Sequence, residues 1–255
     1  MLPVGGARVG TGFARRYKRR TMPIRMCQRG SVGEQKLVAI LTKSDMEEPR
    51  TPSTLAKWWH EKYEQIRSCP EECKKARLHK GLYGNFVQEV YPLMLYASWR
   101  FHDDRVLCQP KIGSQGYDAT ISVIGEPDRV QLVEVTWPQD GKDHREVAKA
   151  MNEQGLNFRD HDDFMRYNSN VFDRVLEASR KKSVKDYRSP GGSALLIVCD
   201  TSCSSLFEGE RGRQIKALVE TLRLMRFCVV DSVYLITTPH EGVHSVKVEC
   251  PPSQP

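Results

Sequence analysis

Two acidic residues stand where a sheet core is expected. Asp118 lies in Gly116-Tyr117-Asp118-Ala119-Thr120-Ile121, and Glu134 in Gln131-Leu132-Val133-Glu134-Val135-Thr136-Trp137. Both runs otherwise have the composition of buried strands. A charge in such a strand is costly unless a partner or a metal offsets it. Between them, Gly125-Glu126-Pro127-Asp128 has turn chemistry, so the two runs read as a hairpin. With a three-residue turn over 125–127, Ile124 faces Asp128 and Asp118 faces Glu134. Opposed residues share a face of the sheet, with α-carbons roughly 4.5–5.5 Å apart. The two carboxylates could then converge on one hard cation, at oxygen distances of about 2.0–2.1 Å for magnesium. A four-residue turn would send them to opposite faces unless a bulge restored the pairing. The plainer alternative is an Asp at a solvated strand start and a Glu satisfied by a local Arg or Lys.

Other constellations are weaker. Cys69 and Cys73, Cys199 and Cys203, and His240 and His244 share a spacing that zinc knuckles use, but nothing in the sequence ties the pairs together. His102-Asp103-Asp104 and His161-Asp162-Asp163 sit in polar, loop-like stretches and read as solvated loops. Gly191-Gly192-Ser193 precedes a strand instead of opening a helix, which argues against a phosphate loop. There is no Gly-x-Ser-x-Gly nucleophile elbow.

The elements that would position the acids follow from apolar periodicity. A short helix-like stretch covers 33–41 and a polar linker 47–52. A helix opens at Thr54 with Ser53 as its N-cap and runs to about Arg67. The next helix spans roughly 84–100, with Phe86, Val90, Leu93, Met94 and Ala97 on one face and Glu89 beside them. Pro92 inside it predicts a kink or a new first turn. Strands are expected over 105–110, 117–124 and 129–137, then a charged segment over 139–170 with a helical patch near 148–154. A helix over 171–187 ends at Ser189-Pro190-Gly191-Gly192. A buried strand over 194–199, a helix over 211–225 and a hairpin of 232–237 with 243–249 complete the chain. The order predicts an α/β fold with a mixed central sheet flanked by helices. The domain reading is a basic tail over 1–33, a helical extension over 34–80 and an α/β domain over 81–255.

The net charge of +7 over 255 residues is unevenly spread. Arg8, Arg15, Arg16, Lys18, Arg19, Arg20, Arg25 and Arg29 fall in the first 33 residues, which hold no acid, so the rest carries 31 bases against 32 acids. A basic footprint spread across the globular part is therefore absent. The tail lacks hydrophobic periodicity and reads as disordered. It could be an arm that grips phosphates, a serine-poor transit peptide, or a segment bypassed by initiation at Met22 or Met26, the favoured reading. Eight cysteines without a secretory signal fit a reducing, intracellular and cytoplasmic setting. No apolar run approaches the roughly 18 residues that a membrane span needs, so no membrane is expected.

The element order, taken with Glu89, Asp118 and Glu134, resembles the restriction-endonuclease-like superfamily of PD-(D/E)xK nucleases over about residues 84–200. The resemblance implies a helix, three strands, helix, strand core. An Asp at the second strand and an acid-x-Lys on the third would bind magnesium or manganese and activate water, with a helical Glu assisting. Asp118 matches the first acid, Glu134-Val135-Thr136 stands at acid-x-Lys, and Glu89 fits the helical acid. The departure is Thr136 in place of the lysine. In some members the lysine comes from the following helix, and here Val171, Val175, Ala178 and Lys182 form one stripe that ends in Lys182, with Lys185 three residues on. A lysine ending an apolar stripe also commonly snorkels to solvent.

Three functions follow. The first is a metal-dependent nuclease that hydrolyses DNA or RNA phosphodiesters, with Asp118, Glu134 and Glu89 as metal ligands and Lys182 and Thr136 beside them. The second is a catalytically inactive module on the same fold that binds nucleic acid or a protein partner. The third is an unrelated α/β scaffold in which Asp118 and Glu134 point apart.

Overall fold

A computed structural model describes residues 39–138, 146, 149, 171–187, 189–201, 208–227, 230–238 and 242–246. Ala39–Pro255 form one compact unit. Its centre is a six-stranded sheet in the order β1 to β6, as in the chain. The strands are β1 Val106–Pro110, β2 Ala119–Val123, β3 Glu126–Thr136, β4 Ser193–Asp200, β5 Ser232–Thr238 and β6 Gly242–Val246. β1, β2 and β3 pair antiparallel, β3, β4 and β5 pair parallel, and β6 returns antiparallel on β5. The fold is thus α/β with a mixed, open sheet.

Two helical layers cover it. On one face lie α1 Lys43–Met46, α2 Pro52–Ser68, α3 Pro70–Arg77, α4 Leu82–Asn85, a π-turn Phe86–Val90 and α5 Tyr91–Arg100. Leu55, Trp59, Phe86, Leu93 and Tyr96 from this layer share a core with Val133, Val135, Leu196 and Val198. On the other face, α6 Val171–Ser183 and α7 Glu208–Arg223 pack Val175, Leu218 and Leu222 against Leu195, Ile197, Val233 and Leu235. Alternation along β4 sends even-numbered residues to the first layer and odd-numbered ones to the second. The central parallel strands therefore bury both faces, and Glu134, paired with Leu195, faces the α6 layer.

Local chemistry accounts for the helix starts. α2 begins at Pro52, not at Thr54. The side chain of Thr51, in place of the expected Ser53, caps it by accepting from the Thr54 N–H, and proline stands in the first turn where it has no bond to lose. Ala39–Leu41 are not helical, and the rest of the 33–41 stretch lies outside the described residues, as do the patch near 148–154 (apart from Lys149) and His161-Asp162-Asp163. The helix over 84–100 is divided at Pro92, where a kink or a new first turn is expected. The Tyr91 N–H reaches back to the Phe86 carbonyl, five residues away, and α5 restarts with Pro92 in its first turn.

The hairpin also differs from expectation. Val123 pairs with Glu126, so the turn is Ile124-Gly125 alone, with Gly125 at φ +90°, and Glu126-Pro127-Asp128 belong to β3. A two-residue loop favours left-handed φ, which glycine adopts freely. The register then shifts between Ile121 and Val123, and beyond the irregularity Ala119 pairs with Val133. At the start of β4, Gly191 lies against β3 so closely that a Cβ would come within 2.4–2.5 Å of the Val130 backbone. α6 stops at Ser183, four residues short of the expected end.

Candidate active site

Asp118 stands just before β2. Its N–H donates to the Val133 carbonyl at 2.9 Å, and its Oδ2 accepts the Val135 N–H at 2.7 Å. The residue thus brackets Glu134 from across the hairpin, replacing a ladder carbonyl with a carboxylate. The shortened turn and the bulge together return the chain to the register in which the two acids are level. The reading in which they point apart does not hold here. Burial, followed by the neighbouring Glu134 charge, pushes Asp118 up to about 6, against the pull of the Val135 N–H and of Lys182 and Lys185.

Glu134 is buried on β3, and Lys182 of α6 donates to its Oε1. The two side chains are 9% and 21% exposed, so this is an ion pair largely withdrawn from water. The buried stripe of α6 runs through Val175, Ser179 and Ser183, and Lys182 lies at its margin. From there the stem reaches the sheet instead of solvent. Lys185, exposed three residues on, acts on Asp118 through its charge.

Glu89 comes from the opposite helical layer, on the π-turn, a geometry often found at functional sites. Asn85, one turn before it, donates to its Oε1 at 2.7 Å. Burial, and after it the Asp118 charge with a smaller push from Glu134, raises Glu89 to about 7 despite that bond. The turn is tied to the end of β3. Pro92 has no N–H to give the Gln88 carbonyl four residues back, and the Trp137 indole N–H donates to that carbonyl instead.

The structure therefore brings Glu89, Asp118, Glu134 and Lys182 into one electrostatically coupled group. Thr136 is buried on β3 two residues past Glu134 and pairs with Ile197. Sequence reasoning missed Tyr187. Its hydroxyl is buried near Glu134, and burial followed by that charge holds the phenol well above its usual range. No local pattern announced it. The Asn85–Glu89 bond, by contrast, was legible as an i,i+4 pair.

Buried Glu134 and half-buried Asp118 and Glu89 repel one another, and carboxylate oxygens are the donors that a hard divalent cation takes. Among the described residues, no three His, Cys, Asp or Glu side chains already stand in a metal-holding arrangement, and Lys182 shares Glu134. The zinc pairs gain nothing: Cys69, Cys73 and Cys199 are free thiols, and Cys203 and His240 lie outside the described residues. His102, Asp103 and Asp104 line a shallow cleft with Pro52, Ser53, Ser98 and Phe101, where Asp103 pairs with Arg105. Among the described residues, no helix is long and apolar enough to cross a membrane. Comparison with protein-family models, with curated proteins and with solved structures found no match to this chain.

Proposed function

We propose that this chain is a PD-(D/E)xK-like nuclease with a restriction-endonuclease-like core, in which the lysine is supplied by α6. The observation that carries the reading is the convergence of Asp118 and Glu134 with Lys182 on Glu134 Oε1. Asp118 and Glu134 would hold magnesium or manganese, with Glu89 completing the shell through water. The metal, when bound, supplies a polarised phosphate oxygen and a more acidic water. Lys182 then has an anion to serve other than Glu134. Its stem lets the ammonium turn to a non-bridging oxygen of the scissile phosphate, where it stabilises the charge of the pentavalent phosphorane. Lys185, more exposed, helps draw a nucleic acid backbone toward the acids.

A second reading, a catalytically inactive module of the same fold that binds nucleic acid or a protein, is favoured by one observation. Thr136 occupies the strand position of the lysine, and Lys182 neutralises Glu134 as the chain stands. The deciding experiment is cleavage of single- and double-stranded DNA and RNA with magnesium or manganese, with Glu134→Ala beside the wild type. Metal-dependent cleavage that disappears in the variant is expected. A folded wild-type protein that cleaves none of the four substrates moves the assignment to the binding module.

A further inference from the structure

Tyr187 lies four residues past the end of α6, 5% exposed, in the core built by Val175, Leu195 and Leu222. The core explains the ring, which a phenylalanine would supply equally well. It does not explain the oxygen. The hydroxyl is buried and completes no hydrogen bond of good geometry, yet it lies close enough for Glu134, and more weakly Asp118, to act on it. A buried orphan hydroxyl is unfavourable, and this one lies near a carboxylate that already takes the Lys182 ammonium on Oε1.

We propose that Tyr187 is the positioning residue of the site, a donor that fixes the Glu134 carboxylate when Lys182 leaves it. The functional meaning of this role rests on the nuclease reading above. A lysine that must turn from Glu134 to a phosphate would leave a buried carboxylate without a fixed orientation. A neutral donor on a rigid ring can hold it without competing for the cation's charge. Partners of this kind behind a metal-ligating carboxylate set both its direction and its affinity.

Two measurements test the role. In metal-free protein, urea unfolding of Tyr187→Phe, Lys182→Met and the double variant forms a mutant cycle. Tyr187→Phe is expected to leave the midpoint unchanged or raise it in the wild-type background, where the hydroxyl has no bond to lose, and to lower it in the Lys182→Met background, where Glu134 needs the donor. Additive effects overturn the proposal, because a purely structural tyrosine loses the same amount in both. Calorimetric titration with manganese is then expected to show affinity about 10-fold weaker in Tyr187→Phe, and equal affinity overturns the positioning role. If the wild type takes up no manganese, the nuclease reading fails by itself, and the mutant cycle alone decides Tyr187.

Discussion

Lys182 decides how the acids behave. Its ion pair with Glu134 is mostly buried, and removing one partner of such a pair strands the other in a poor solvent. Lys182→Met is expected to lower stability by about 3 kcal/mol in metal-free protein and to cost at least about 10²-fold in cleavage rate, measured by urea unfolding and single-turnover kinetics. Wild-type cleavage in the variant would leave Lys182 a purely structural cation. Glu89 and Asp118 make the opposite contribution. Their folded pKa values, about 7 and about 6, lie above ordinary values of 4.5 and 3.8. Between the two limits the folded state binds more protons than the unfolded one. The stability they contribute is therefore full at low pH and lost as pH rises through about 6 to 7. Without metal, the thermal midpoint of the wild type is expected to fall more between about pH 5 and pH 8 than that of Glu89→Gln. Parallel curves would show that Glu89 does not titrate in this window.

Among the elements, the π-turn and β3 form the joint that brings Glu89 toward the hairpin acids. The joint depends on one proline and one tryptophan: Pro92 leaves the Gln88 carbonyl free, and Trp137 fills it. Trp137→Phe keeps the apolar bulk but orphans that carbonyl. It is expected to cost about 1–3 kcal/mol and to weaken manganese binding, read by urea unfolding and calorimetry. Unchanged metal affinity would show that Glu89 needs no such tie. Pro92 was readable as a break in the helix; the π-turn it produces was not. It is tied to a residue just past the end of β3, 45 positions beyond Pro92, which no helical periodicity encodes. The hairpin teaches the same lesson. Turn chemistry at 125–128 marked the right place, but the choice of a two-residue loop followed by a bulge depends on how β3 must also pair with β4.

At the scale of the whole molecule, α1 and α2 are part of what holds the site layer together. Leu41, Met46, Leu55, Trp59 and Ile66 are buried in the same core as the sheet residues flanking Glu134. Arg50 pairs with Cys108 across the edge of β1 and salt-bridges Asp45 and Glu48. A chain starting at Gly81, which lacks α1, α2 and α3, should not show a cooperative transition. Cooperative unfolding of the shorter chain by calorimetry would mean that the sheet and its remaining helices suffice.

Local sequence determined the kinds of elements, their order and the two acids inside them. Burial periodicity is written over a few residues at a time, and a carboxylate in an apolar strand is conspicuous wherever it falls. Only the tertiary structure decided which groups meet. Lys182 lies 48 residues from Glu134 in the chain, Tyr187 still farther, and Glu89 comes from the opposite helical layer. Those encounters are set by the packing of α6 on β4, beside β3, and by the restart of α5. Both depend on contacts between segments whose separation along the chain carries no information about their distance in space.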